Sequence, residues 1–211
     1  MVTREGVIVT GDILLAIIGK ELLTDGTAER LGSKTIFQEV FCGRIVGDVV
    51  KQYGGELRVT RVGRESFVRE VIEANGLLAG EVSTHLLFKE YGTIEMPLAG
   101  LFYLLKALEN YDNASSMISE FNTYARGQVL QFITEKKDEL IEALKAQYAQ
   151  HTIITIDGVR VEAPDWWFCV RKSGTEPMLK VALEGKDQAI YDALIAELRT
   201  FFRENGATEK L

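Results

Sequence analysis

Apolar residues recur along the chain in two rhythms, one near the helical period and one near the alternation of a strand. Ile13 to Leu23 is apolar at almost every position, and Gly11-Asp12 before it predicts a buried helix with Asp12 as its N-cap. Arg44 to Tyr53 carries Ile45, Val46, Val49 and Val50 at helical spacing, and Gly54-Gly55 ends it. Helices are also expected over 66–74, 96–110, 135–150 and 187–205, the last with a stripe at Ile190, Leu194, Leu198, Phe201 and Phe202. Pro97 fits a first helical turn. β-branched and aromatic runs predict strands at 34–41, 57–60, 76–80, 152–156, 159–162, 166–170 and 178–184, with a short strand pair inside 2–9 around Arg4-Glu5-Gly6. Asp157-Gly158 between two alternating runs reads as a hairpin turn.

The order of these elements divides the chain. Over 13–112 strands and helices alternate across short links, which predicts an α/β domain with a mixed, mostly parallel sheet covered on both faces. Composition turns small and polar at Tyr111 to Ser116, and the domain boundary is placed there. Residues 113–211 then read as a smaller α+β domain, an antiparallel sheet with helices on one side. No internal repeat or low-complexity tract is evident.

Composition narrows the function classes. The chain has 211 residues, 46% hydrophobic and 26% charged, as in an ordinary globular protein. A net charge of −7 argues against nucleic acid as a partner, and no apolar run approaches the roughly 20 residues of a membrane helix. Cys42 and Cys169 sit in apolar runs without metal-ligand spacing. Without an apolar leader after Met1, the reading is cytoplasmic.

Candidate chemistry concentrates in Arg171-Lys172-Ser173-Gly174-Thr175-Glu176-Pro177, between two predicted strands. Two cations, two hydroxyls and a glycine suit a phosphate dianion, since arginine offers a planar fork of donors and hydroxyls and amides fill the remaining oxygens. A charged hairpin tip is the alternative on composition alone. A second stretch, Gly80-Glu81-Val82-Ser83-Thr84-His85, falls at the C-terminal end of a predicted strand, where open α/β sheets bind ligands. Glu81, Ser83 and His85 alternate, so an extended loop would show all three on one face. A carboxylate and a hydroxyl can hold sugar hydroxyls, and an imidazole can move a proton; a purely structural role is the alternative.

The first stretch resembles the phosphate-binding loop, Arg-x-Ser-Gly/Asn-Thr-Glu-Pro, of the α-D-phosphohexomutases, the family of phosphoglucomutase, phosphomannomutase and phosphoglucosamine mutase. The second is similar to that family's sugar-binding loop, Gly-Glu-x-Ser-x-His/Asn, with Thr84 where bacterial phosphomannomutases usually have Gly. Phe88-Lys89-Glu90 continues the likeness, but Glu95-Met96 replaces the usual Asp-Asp pair. Thr60-Arg61-Val62-Gly63-Arg64 resembles the Thr-x-Val-Gly-His stretch that enters the cleft, with Arg64 at the His position. The family's cleft lysine aligns with Phe41, so its role either falls away or passes to Arg44 or Arg64. Both arginines could equally serve to solvate a helix end.

The resemblance covers the C-terminal half of the family, its domains three and four, with residues 1–12 as a remnant of the preceding domain. It implies an α/β sugar-binding domain over 13–112 and a TATA-box-binding-protein-like phosphate-binding domain over 113–211. It implies Glu81, Ser83, Arg64, Arg171, Ser173, Gly174 and Thr175 as substrate-binding residues and His85 as the proton-transfer residue. The intact enzyme would interconvert hexose 6-phosphate and 1-phosphate through a phosphoserine and a bisphosphate. It would use Mg²⁺, and glucose 1,6-bisphosphate as activator. The Asp-x-Asp-x-Asp-Arg metal loop and the phosphoserine context are absent from these residues, so no metal ligand is assigned here. The partners expected are a hexose phosphate and the missing N-terminal domains, and this portion alone would not turn over. A non-catalytic phosphosugar-binding protein is the rival reading.

Overall fold

The computed structural model describes residue 2, residue 6 and residues 8–210, with Arg64 and Ser66 described by their backbone alone. The described chain divides into two compact units, 1–123 and 124–211. No helix among the described residues is long and apolar enough to cross a membrane. The strand pair expected within 2–9 lies largely outside the described residues, which show there one antiparallel bridge, Val2 to Ile8.

The first unit opens with α1 (Gly11–Thr24) and a short α2 (Thr27–Leu31), then β1 (Thr35–Glu39), α3 (Arg44–Gln52), β2 (Glu56–Thr60), α4 (Arg64–Glu73) and β3 (Leu78–Gly80). A hairpin to β4 (Leu86–Phe88), β5 (Ile94–Glu95), α5 (Pro97–Leu108) and α6 (Ala114–Phe121) complete it. The sheet order is β2-β1-β3-β4-β5. β1 pairs in parallel with β2 and β3, whereas β3-β4 and β4-β5 are antiparallel, so the sheet is mixed.

Helices cover both faces. α1 is apolar almost all round and buried along nearly its whole length, as expected of a central helix. A Cβ on Gly19 would come within 2.9 Å of Ile36 Cδ1, so α1 lies close on the Ile36 face. Gly100 of α5 packs toward Ile18, Leu86 and Phe88 on the same side. On the opposite face Phe37, Ala79 and Leu87 meet Phe67 and Val71 of α4. Burying each such large side chain contributes roughly 1.5–3 kcal/mol.

Two local expectations change. Asp12 is the second residue of α1, and Thr10 holds the N-cap position. The Asp12 side chain is fully buried and accepts from Ile13 N at 3.1 Å and Gly43 N at 2.7 Å, so it caps a neighbouring loop instead. The small polar residues read as a boundary are a helix cap. Asn113 Oδ1 accepts from Ser116 N at 2.9 Å and opens α6, which buries Met117, Ile118 and Phe121 in the first unit. Lys20 of α1 holds this helix down. Its ammonium donates to Tyr111 Oη at 3.1 Å and Glu120 at 3.2 Å, and lies 5.5 Å from the Phe121 ring centroid. Burial alone would lower the Lys20 pKa, but these bonds outweigh it and raise it above the usual lysine value. The chain therefore leaves the first unit after Thr123, beyond the position composition suggested.

The second unit contains β6 (Ala125–Arg126), β7 (Leu130–Ile133), α7 (Lys137–Gln147), β8 (Thr152–Ile154), β9 (Val159–Glu162), β10 (Trp166–Lys172), β11 (Met178–Gly185), α8 (Gln188–Glu204) and β12 (Thr208–Glu209). The order is β12-β7-β11-β10-β9-β8 with β6 on β11, and all pairs are antiparallel. One face of the sheet packs on α7 and α8 through Leu140, Leu144, Phe168, Val170, Val181, Leu194, Leu198 and Phe202. Asp187 caps α8, accepting from Ile190 N at 2.9 Å. The β8-β9 register pairs Ile154 with Arg160, so the Asp-Gly pair sits in a longer loop than a two-residue turn.

Packing at the α1 N-terminus generates a prediction. Gly11 N donates to Val82 O at 2.9 Å, and a Cβ on Gly11 would fall 2.1 Å from Glu81 O and 2.6 Å from Thr84 N. Backbone atoms cannot rotate away as a side-chain tip can. Gly11→Ala is expected to cost about 1–3 kcal/mol or more in chemical denaturation. It should also move the amide resonances of residues 81–84, and unchanged shifts there would refute the contact.

Candidate functional site

The turn between β3 and β4 is built from below by two buried carboxylates. Glu39 ends β1 and accepts from Phe41 N at 2.6 Å and Val82 N at 3.3 Å. Asp12 takes Gly43 N, as described above. The two acids thus fix the loop after β1, and Glu39 also reaches the loop after β3. Cys42, a buried thiol, sits between Glu39 and the Gly80 carbonyl. The thiol and both acids carry no sequence signal beyond their place at the ends of predicted elements.

On that base residues 81–85 form a tight turn, closed by Glu81 N to His85 O at 3.1 Å and Thr84 N to Glu81 O at 3.0 Å. The loop is not extended, so alternation does not set its faces: Gly80 already pairs with Leu86 across the hairpin. Ser83 Oγ donates to Glu81 Oε2 at 2.9 Å, which joins two of the three candidates. His85 turns instead to β5, with Nδ1 2.6 Å from Glu95 Oε1. Glu95, at the place of the usual Asp-Asp pair, thereby gains a partner for its carboxylate. Thr84 adopts φ 74°, a left-handed conformation costly for a β-branched residue. That is the physical reason a glycine would suit the position.

The Thr60–Arg64 stretch ends β2 and starts α4. Thr60 is fully buried, its hydroxyl donating to Glu70, and Gly63 at φ 139° precedes the helix. The Arg64 side chain lies outside the described residues. Phe41 is buried, and Arg44 begins α3, half-buried.

In the second unit the loop between β10 and β11 is closed by Ser173 N to Met178 O at 2.9 Å and Met178 N to Glu176 O at 2.8 Å. It is tethered outside by Thr134 N to Pro177 O at 3.0 Å and by Lys210 to Glu176 Oε1 at 3.2 Å. Ser173 is buried and its hydroxyl accepts from Thr175 N at 3.5 Å, whereas Gly174 and Thr175 are exposed. Gly174 has no left-handed φ, and a Cβ there would meet nothing within 4 Å. The glycine is thus not demanded by the loop's own backbone. Arg171 shares its face of β10 with Trp167 and Cys169, opposite the core residues Phe168 and Val170. Its Nε donates to Asp157 Oδ2 at 3.0 Å. Gly158, with φ 76°, lets the 155–158 loop come this close, since a Cβ there would lie 2.1 Å from Val170 O. Asp157 was legible only as a turn residue; register across three strands makes it the partner of Arg171. Farther along the same face the Arg160 guanidinium lies 3.7 Å over the Trp167 ring, and Trp167 Nε1 donates to the buried Glu184 at 2.7 Å.

Among the described residues no group of three or more His, Cys, Asp or Glu side chains could hold a metal ion.

Comparison with known proteins matches both units. Residues 10–124 match the family model described as phosphoglucomutase/phosphomannomutase, alpha/beta/alpha domain III, and residues 130–201 match the C-terminal domain of the same family. A phosphomannomutase of Methanocaldococcus jannaschii is 30% identical over 209 residues, which are 99% of this chain and 45% of that protein. A phosphomannomutase/phosphoglucomutase of Pseudomonas aeruginosa is 30% identical over 96% of this chain and 43% of its own length. A crystal structure of a phosphoglucomutase/phosphomannomutase family protein from Burkholderia thailandensis superposes with a TM-score of 0.83 at 25% identity, covering 100% of this chain and 45% of that one. The chain thus spans less than half the length of these relatives. With a mixed α/β sheet followed by an antiparallel one, each ending in a polar loop, it belongs to the phosphoglucomutase/phosphomannomutase family, as domain III and the C-terminal domain.

Proposed function

We propose that this chain is the sugar- and phosphate-holding part of a phosphohexomutase that interconverts the 6- and 1-phosphates of a hexose. The observation that carries the reading is the Arg171 loop. Asp157 holds the guanidinium by its Nε edge, and Ser173, Gly174 and Thr175 follow in one short tethered turn. Such a turn suits the non-transferring phosphate, since bidentate donors and backbone amides match phosphate oxygens. The first unit is the sugar-binding domain, with Glu81 and Ser83 for hydroxyls and Arg64 entering the same role. The second is the phosphate-binding domain.

His85 is the proton-transfer residue in this reading. An ionised carboxylate only accepts hydrogen bonds, so the Glu95 contact requires the proton on Nδ1 and leaves the Nε2 lone pair for a substrate hydroxyl. The phosphoserine, the Mg²⁺ that the family's chemistry uses, and the activating glucose 1,6-bisphosphate act with domains that this chain does not span. The protein is placed in the cytoplasm with its soluble substrate. No membrane or nucleic-acid partner enters the proposal.

Three measurements test it. Titration of the chain with a hexose phosphate, followed by NMR, should shift Ser173 to Thr175. Arg171→Ala should weaken binding roughly ten- to hundred-fold, as loss of a charge-assisted hydrogen bond implies. Asp157→Asn should weaken it less, because the guanidinium stays but loses its orientation. Equal affinity in wild type and Arg171→Ala, or equal binding of free hexose, would reject the loop as the phosphate site. Imidazole ¹⁵N shifts should show His85 protonated on Nδ1 when neutral, with the preference relaxed in Glu95→Gln; a dominant Nε2–H form in the wild type would remove His85 from its role. Finally, the chain by itself, supplied with Mg²⁺ and glucose 1,6-bisphosphate, should show no turnover approaching an enzyme's usual range of about 1–10³ per second. A rate in that range would place the whole reaction within this chain.

A further inference from the structure

Helix α5 is packed the wrong way round for a surface helix of an isolated domain. Its inward positions are small, with Ala99, Gly100 and Ala107 buried, while its large residues point outward. Leu98 is 65% exposed, Leu101 50%, Phe102 67% and Leu105 51%. Their spacing of three and four residues gathers them into one stripe two turns long. Tyr91 and Ile94, just before the helix, are exposed as well.

We propose that this outer face of α5 is an interface between two copies of the chain. Area is the first argument. Taking the lower end of the range for an aromatic side chain, about 150 Å², six large side chains 42–67% exposed leave on the order of 500 Å² of apolar surface. Pairing it with itself buries on the order of 1,000 Å², the size a specific interface should reach. A lone patch of that size is at the upper limit for a soluble monomer.

Charge is the second argument. The charged groups flanking the stripe neutralise one another: Arg30 pairs with Glu90, and Lys106 Nζ lies 2.7 Å from Asp25 Oδ2. Hydrogen bonds from Lys106 and Thr27 overcome the effect of burial and hold the Asp25 carboxyl below its usual pKa, so it stays charged. Two such faces meet without repulsion. With Arg30 and Lys106 both paired, the patch offers little to an anionic membrane surface on a chain of net charge −7. The stripe is also self-complementary. A two-fold axis crossing the helix between Leu101 and Phe102 sets Leu98 of one copy against Leu105 of the other, as an isologous contact demands.

Sedimentation velocity of the 211-residue chain from about 1 to 100 µM tests the proposal. Wild type should sediment as a dimer at the upper end. The doubly substituted Leu101→Glu/Phe102→Glu chain should be monomeric, its dissociation constant raised roughly a hundred-fold or more, as for two central anchors. Because both side chains are exposed, its melting temperature and circular dichroism should match the monomer of the wild type. Ile72→Glu, at an exposed apolar position on α4, should leave the dimer intact. A wild type that is monomeric throughout overturns the proposal and leaves the face to another part of a longer protein. So does a dimer that survives the double substitution, or a monomer that co-sediments with phosphatidylcholine vesicles.

Discussion

Two buried carboxylates hold the loops at one edge of the first sheet. Asp12 and Glu39 sit at the C-terminal edge of the first sheet and receive the backbone N–H groups of Gly43, Phe41 and Val82. Burying an ionised carboxylate costs several kcal/mol in desolvation. Charge-assisted bonds of roughly 1.5–3 kcal/mol each offset that cost, but only while the donor loops stay in place. The acids and loops therefore specify each other, and the turn that carries Glu81, Ser83 and His85 inherits their rigidity. Gly11 completes the arrangement, since its missing side chain lets the α1 N-terminus touch the turn's backbone.

The second unit solves a comparable problem with different parts. Arg171 projects from a strand end, where an unpaired guanidinium would sample many rotamers. Asp157, from the 155–158 loop, takes its Nε edge, and Gly158 makes the approach possible. Preorganising a donor this way spares the ligand the entropy of ordering it. The turn itself is tethered from outside: Thr134, just after β7, and Lys210, just after β12, bond Pro177 and Glu176. In both units the residues that would meet a ligand are held by residues distant in sequence.

Local pattern made much of this legible. The apolar run of α1, the stripe of α8 and the strands around Arg171 follow from periodicity, because each element buries one face or all of itself. The polar loops at strand ends were visible as candidates, but composition alone left a charged hairpin tip or a purely structural role equally open, and the family resemblance decided between them. Short strands were not legible. Leu130–Ile133 and Leu86–Phe88 are too brief for alternation to register, and their strand state comes from pairing with β11 and β3. Asn113 to Ser116 shows the reverse error: polar residues that suggest a linker are a helix cap, decided by the apolar Met117, Ile118 and Phe121 behind them.

By itself, then, the sequence determined the long helices and strands and which loops gather polar and charged groups at strand ends, because those properties depend on neighbours a few residues away. Only the tertiary structure decided who holds whom. That Glu39 supports the turn at 81–85, that His85 faces Glu95 rather than Ser83, and that Asp157 orients Arg171 depend on strand register and loop closure. Likewise, the apolar residues of α5 predicted a helix but not which side would be covered. Gly100 packs toward Ile18 of α1 and toward Leu86 and Phe88 of the sheet, Ala99 and Ala107 are buried, and this inward face of small residues leaves the large ones outward.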